Sequence, residues 1–269
     1  QVNLTQSDKP QDIYAAVVNK INERLRLDGC DDSKKWLMLQ PDRSLTKPAV
    51  MTIPYAATYT AFYKYAYDWG IKRAKDLYGN TCWLNKTGSM GTVHFMARIL
   101  HEESSRMIQP AVQAMKWFKA IGVKAGKNNI PLRWTSPSGL LVHQQYNSTK
   151  DSRVRLKYLS DIYLDIRVQE DCPTLNTNKM GNAITANLLH SFDSSIMALT
   201  ILKCRKKNVI NIGGIHDAFV TDPTSMSVVR DAAKESFVEI YKDDWLTKIK
   251  DTLKAQIPVH LQLDLPAEP

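Results

Sequence analysis

The apolar spacing of this chain changes character after Gly126-Lys127-Asn128-Asn129, and that change limits the folds open to it. Upstream, apolar residues recur every three to four positions, the repeat that lines one face of a helix. Ile13, Val17, Val18, Ile21 and Leu25 predict a helix over about 10–26, with Ser7-Asp8-Lys9-Pro10 offering a capping residue and a first-turn proline. Gly29 to Ser33 breaks the pattern. A second helix is expected to open near Arg43 and continue past Tyr55. Pro48 fits its first turn, whereas Pro54 removes a backbone donor and should kink or end it. Residues 60–124 read as mainly helical, with Ala114, Met115, Trp117 and Phe118 as a core stripe before Gly122.

Downstream, Leu132-Arg133-Trp134, the turn Ser136-Pro137-Ser138-Gly139 and Leu140-Leu141-Val142-His143 predict a hairpin. Its second arm is expected to run on through Arg153-Val154-Arg155-Leu156-Lys157-Tyr158, where basic and apolar residues alternate, so one face should be buried and the other present cations. A helix over about 186–204 turns Leu188, Leu189, Phe192, Ile196 and Leu199 to the core, with Asn187, His190, Asp193 and Ser194 on its other side. Val209 to Ile215 and Ala218 to Thr221 then read as two strands joined by His216-Asp217. Asp222-Pro223-Thr224 leads into a last amphipathic helix through Val229, Ala233, Phe237, Ile240 and Tyr241. The class is α+β and helix-rich, with antiparallel hairpins.

Several classes are disfavoured by composition. With 43% hydrophobic and 23% charged residues, the chain is globular rather than disordered. No stretch approaches the roughly 18 apolar residues of a membrane span, and Gln1-Val2-Asn3-Leu4-Thr5 lacks the apolar core of a signal peptide, so no membrane partner and a cytoplasmic location are expected. Cys30, Cys82, Cys172 and Cys204 form no Cys-x-x-Cys pair, which predicts reduced thiols and no zinc site. The net charge of +9 suits an anionic partner or a solubilising basic surface.

Three groups of residues carry candidate chemistry. Asp217, at a turn backed by Ile212, Ile215 and Phe219, could hold a hard cation such as magnesium; an ordinary turn aspartate is the alternative. Arg43 and Lys47 share a helix face, where like charges repel by a few tenths of a kcal/mol unless an anion such as a triphosphate lies between them; a solvated basic face is the alternative. Tyr55 could stack on a nucleotide or simply pack, and His190 could donate to a ribose hydroxyl, pair with Asp193, or sit at the surface. His94, His101, His143 and His260 read as structural. A metal-holding acid and a cation pair together suggest nucleotidyl transfer. Two-metal transfer calls for two carboxylates around metals roughly 3.5–4 Å apart, and one is convincing here.

In order along the chain, these segments resemble the single-subunit DNA-directed RNA polymerases of bacteriophages and mitochondria. Val2-Asn3-Leu4 and Pro10-Gln11-Asp12-Ile13-Tyr14 resemble the segment that follows that family's first catalytic motif. Arg43 to Tyr55 is similar to the fingers helix written Arg or Lys, three residues, Lys, three residues, Met-Thr, two residues, Tyr-Gly. Ala56 stands where the glycine is usual. Ala114 to Lys119 and Ser136 to Tyr146 resemble later fingers segments, while Lys179 with Asn187-Leu188-Leu189-His190-Ser191-Phe192-Asp193 matches a Lys, seven residues, Asn-x-x-His-Ser-x-Asp signature. Ile215-His216-Asp217-Ala218-Phe219 is similar to the last catalytic motif, usually His-Asp-Ser-Phe-Gly.

The resemblance implies roles. Arg43 and Lys47 would clamp the incoming ribonucleoside triphosphate. Tyr55 would sit at its sugar and base and, with His190, favour a ribose 2′-hydroxyl. Asp217 would ligate catalytic Mg2+, and His216 would lie near the RNA 3′ end. The basic hairpin around Arg153 and Arg155, within about 130–170, resembles the specificity loop that reads promoter DNA in the major groove. Residues 1–189 would form the fingers and 190–269 a C-terminal palm segment with an incomplete antiparallel sheet. The family's first metal-binding aspartate precedes the segment matched at Val2. A second polymerase subunit carrying the N-terminal half is therefore expected to supply it, as in a split phage enzyme of an infected bacterial host. DNA template and RNA product complete the expected partners. Two other classes stay open: a metal-dependent phosphoesterase using His190, Asp193, His216 and Asp217, and a noncatalytic DNA-binding factor.

Overall fold

Asp12 opens the first helix: its carboxylate accepts hydrogen bonds from the backbone N–H groups of Tyr14 and Ala15, two donors that a helix start leaves unpaired. The computed structural model describes residues 11–80, 84, 89–159, 162–262, 265 and 266, and the proposed Ser7 to Pro10 cap lies outside them, as do Val2-Asn3-Leu4 and Cys82. Helix α1 (Ile13–Asp28) buries Val17, Val18, Ile21 and Leu25 and ends at Gly29, whose φ of 59° is the left-handed conformation glycine adopts without steric penalty. Next comes α2 (Asp31–Met38), where the Cys30 sulfur accepts from the Ser33 N–H; the break after Gly29 is a turn between helices.

Helix α3 (Arg43–Thr52), capped by Asp42, stops earlier than its spacing predicts. Pro54 cannot donate to the ladder, so Ile53–Tyr55 winds into a single 3-10 turn and Tyr55 lies beyond the α-helix rather than within it. Long helices follow: α4 (Tyr59–Tyr78), α5 (Ser89–Met107) and α6 (Gln109–Lys127). Ile21, Leu25, Trp36, Leu45, Phe62, Met96 and Leu100 share one core, and the Trp36 indole donates to the Thr92 carbonyl at 2.8 Å.

The chain divides into two compact units, Gln1–Met115 and Lys116–Glu268. In the second, β1 (Leu132–Thr135) and β2 (Leu141–Gln144) form one hairpin. The predicted continuous arm is in fact two elements. β2 stops at Gln144, whose buried amide donates to the Met180 carbonyl at 2.8 Å, and a separate hairpin of β3 (Asn147–Leu159) and β4 (Ile162–Leu175) begins beyond it. Helix α7 (Thr177–Lys206) starts well before the predicted residue 186. It crosses α6 so closely that a Cβ on Gly122 would stand 2.6 Å from the Met180 carbonyl oxygen, and one on Gly181 2.5 Å from Val123 Cγ2. Glycine is required there by distance rather than by φ.

The third hairpin, β5 (Ile212–Ile215) with β6 (Ala218–Thr221), is followed by α8 (Met226–Tyr241), α9 (Trp245–Ala255) and the short α10 (Val259–Gln262). Each hairpin is its own two-stranded antiparallel sheet, which bears out the helix-rich α+β class. Among the described residues, no helix is long and apolar enough to cross a membrane.

Candidate functional site

In the first unit, α3 sets Arg43 and Lys47 one turn apart, both exposed. Arg43 is already engaged: its guanidinium donates to the Asp12 carboxylate and lies over the Tyr14 ring, 4.9 Å from the centroid. The hydrogen bond from Arg43 holds the Asp12 carboxyl below the usual carboxylate range. An acid of this chain thus occupies Arg43, while the Lys47 amine has no ion pair or side-chain hydrogen bond among the described residues. Tyr55 is exposed on the 3-10 turn. Ala56 then takes φ 59°, a left-handed conformation that costs a residue with a Cβ about 1–2 kcal/mol and glycine almost nothing. The family's usual glycine at this place has a physical reason, and this chain keeps the bend without it.

In the second unit, β5 and β6 pair Ile215 with Ala218, leaving His216 and Asp217 as the hairpin loop. His216 has φ 56°, the positive value that tight hairpin turns demand at their first loop position. The hairpin root is fixed by Ile212 and Phe219, which pack on buried Cys204, Val209, Val229 and Ala232. Ile215 does not back the turn as expected: it is 68% exposed, because the strand alternation turns it outward. Gly214 lets β5 approach α7, since a Cβ there would meet Met197 Sδ at 2.8 Å.

This seating opens a cleft of about 430 Å³ lined by Asp193, Met197, His216, Asp217, Phe219 and Phe237 among others. Burial pushes the Asp193 carboxyl up, His190 opposes that, and Asp217 adds to it. Phe192 stacks with Tyr241 at 6.2 Å and meets Trp245 edge-on at 6.0 Å. Phe237 and Tyr241, predicted to face the core, are instead largely exposed, and Phe237 lines the cleft. His190 is exposed on α7. Asn187, from the same signature, donates to Gln144 Oε1 and the Tyr146 hydroxyl, both at 3.0 Å, and so locks α7 to the chain after β2.

The predicted DNA-reading residues lie on β3–β4. Arg153 faces Arg167 across the ladder, and among the described residues neither has an acidic partner, a repulsion that an anion would relieve. Arg155 donates to Asp165 at 2.9 Å and sits 5.6 Å from the Tyr163 ring centroid. The expectation of one buried face fails here: Val154 and Leu156 on one strand and Leu164 and Ile166 on the other are all more than one third exposed.

Carboxylate oxygens on a rigid turn suit a hard cation, so Asp217, with Asp193 nearby, fits magnesium better than a softer ion. Among the described residues, no three His, Cys, Asp or Glu form a group placed to hold a metal ion. Asp193 and Asp217, grouped in the sequence only by the phosphoesterase alternative, are brought to one cleft although α7's C-terminal half and a strand separate them along the chain.

The second unit thus carries a cleft lined in part by carboxylates, and the first carries exposed cations. The DNA-dependent RNA polymerase family matches residues 1–267, and the chain belongs to that family. It is 29% identical over 318 aligned positions to T7 RNA polymerase of Escherichia phage T7, covering 100% of this chain and 35% of that protein. To the DNA-directed RNA polymerase 2, chloroplastic/mitochondrial of Arabidopsis thaliana it is 27% identical over 278 positions, covering 100% of this chain and 26% of the relative. DNA-directed RNA polymerase 2A of Nicotiana tabacum is 27% identical over 273 positions, 98% of this chain and 78% of the relative. The chain thus spans only about a quarter of the Arabidopsis relative and a third of the phage one.

Proposed function

We propose that this chain carries the fingers, over 1–189, and a palm segment, over 190–269, of a DNA-directed RNA polymerase that extends an RNA 3′ end with ribonucleotides. The observation that carries the reading is Asp217 held at a rigid hairpin tip beside Asp193 in an open cleft, in a chain matched to the family over almost its whole length. Asp217 would hold Mg2+, which when bound activates the 3′-hydroxyl and steadies the leaving pyrophosphate. Lys47 neutralises charge on the triphosphate, and Arg43 joins it by exchanging Asp12 for phosphate oxygens, the stronger and more highly charged acceptors. Tyr55 sits at the sugar and base and with His190 selects the 2′-hydroxyl, while His216 lies at the RNA 3′ end. On β3–β4, Arg153 and Arg155 contact promoter DNA.

Two-metal transfer needs a further acid, and on this reading a second polymerase chain supplies it. The test is template-directed RNA synthesis by the chain alone, with a candidate partner, and with the partner and Asp217→Asn. Synthesis only in the second arm is expected. Substantial synthesis by the lone chain defeats the shared site, and full activity of Asp217→Asn defeats the role of Asp217.

A further inference from the structure

In the second unit, Met180, Asn187, Ser191 and Ser195 fall on one stripe of α7, and each is hydrogen-bonded to the β1–β2 hairpin. The Trp134 indole, buried on β1, donates to the Ser191 hydroxyl at 3.2 Å. In the turn, the Ser138 N–H donates to the Ser195 hydroxyl, also at 3.2 Å. On β2 the buried Gln144 amide uses both of its ends, donating to the Met180 carbonyl at 2.8 Å and accepting from the Asn187 amide at 3.0 Å. The hairpin is itself braced by Gln256, the residue after α9, whose side chain accepts from the Arg133 N–H at 2.9 Å and donates to the Arg133 carbonyl at 2.7 Å. The helical repeat puts His190 on the flank of this stripe and Asp193, which lines the cleft, across the axis from it.

Apolar packing alone would hold the hairpin on the helix without fixing how the helix is turned about its axis, because burial has no direction. Hydrogen bonds weaken steeply away from their preferred distance and angle, so a stripe of them sets both the rotation and the register of α7. A rotation of about 20° would carry a side chain at a radius of roughly 5–6 Å through about 2 Å. A misplacement of about 1 Å at a reacting centre can cost about a hundredfold in rate. His190 is bracketed by this stripe, three residues after Asn187 and one before Ser191. Among the stripe's partners Gln144 alone bonds two turns of α7 at once, since its amide is both donor and acceptor.

Resting on the polymerase reading above, we propose that Gln144 is a positioning residue for ribose selection: by tying Asn187 and Met180 to β2 it fixes the rotation of α7, and so the place where His190 meets the 2′-hydroxyl. Gln144 touches no substrate. It acts through the helix, with the Trp134 bond to Ser191 as the second brace.

The experiment measures kcat/KM for a ribonucleoside triphosphate and for its deoxy analogue on a primer and template, using the polymerase reconstituted with its partner chain. Gln144→Met keeps the volume and removes both bonds; it is expected to lower the ribose preference by about ten- to a hundredfold, through the ribonucleotide, with the deoxy reaction within about twofold of wild type. His190→Ala should lower the preference as well, and adding Gln144→Met to it should lower it no further, because the amide acts only through that histidine. Ser191→Ala, which removes the Trp134 brace with a smaller change in the core, should act in the same direction and stands in for Gln144→Met if that variant does not fold. Equal losses for the two nucleotides in Gln144→Met overturn the proposal by reducing the amide to a structural role, as does a further fall in the His190→Ala background. A fall in His190→Ala with none in Gln144→Met overturns the positioning role alone. No change in either variant overturns ribose selection by His190, and the proposal with it.

Discussion

The second unit holds two hairpins of the same topology and opposite design. β5–β6 has four-residue strands, yet Ile212 and Phe219 tie it to a buried cluster and Gly214 brings it against α7. β3–β4 has strands of 13 and 14 residues, and the apolar side chains along it are exposed. The short hairpin gives up reach for position, which the metal-holding role proposed for Asp217 requires. The long one gives up burial for contact area, which a segment that reads another molecule requires. Within one unit, anchoring separates the element suited to chemistry from the element suited to recognition.

The anchors are the strongest place to break this contrast. Phe219→Ala should destabilise the second unit by about 2 kcal/mol and loosen the Asp217 turn, whereas Leu156→Ala on the long hairpin should change stability by less than about 1 kcal/mol. Denaturant melts of both variants give the comparison, and similar losses would erase it.

Next in size is DNA binding. Replacing Arg153 and Arg167 by alanine should weaken promoter DNA binding and lower the salt-dependence slope by about 2, with no loss in melting temperature, since the pair's mutual repulsion goes with it. A slope unchanged by the double variant would remove the long hairpin from the DNA contact.

Asp193 sharpens the electrostatic side of the cleft. Its folded carboxyl titrates above its unfolded one because of burial and Asp217, so as pH rises through the ordinary carboxylate range the folded state loses stability relative to the unfolded. Asp193→Asn should therefore raise the melting temperature at pH 7 and leave it unchanged at pH 3, below both titrations. An equal rise at both values would place the effect elsewhere.

The smallest effect concerns backbone strain. Ala56→Gly should stabilise the first unit by at most about 1 kcal/mol, since relief of the left-handed alanine is offset in part by the freer unfolded glycine. A loss on this substitution would mean that the methyl group contributes packing that outweighs the strain.

What could be read in the sequence was what depends on neighbours in the chain. The 3.6-residue spacing of Val17, Ile21 and Leu25 locates α1, and the two-residue His216-Asp217 break locates β5–β6. Helix α2 escaped because eight residues with Trp36 as the main buried group make too short a pattern. The split between β2 and β3 depends on Gln144 finding Met180 and Asn187, partners 36 and 43 residues away. An alanine gives no hint that Ala56 will adopt positive φ. Tyr241 stacks with Phe192 on another helix and Phe237 packs on Tyr241, tertiary contacts that one helix's periodicity cannot express. Motif order singled out the candidate site residues one by one, and one alternative grouped His190, Asp193, His216 and Asp217, but the cleft that gathers Asp193, His216 and Asp217 required the fold.

The division of labour between the hairpins is tested most directly by RNA synthesis in the reconstituted polymerase, run both from a promoter and from a preformed primer and template. Asp217→Asn should abolish both reactions, by about a thousandfold or more, whereas Arg153→Ala with Arg167→Ala should depress only the promoter reaction. Primer extension that survives Asp217→Asn, or that falls with the arginine pair as far as promoter synthesis does, would contradict the account.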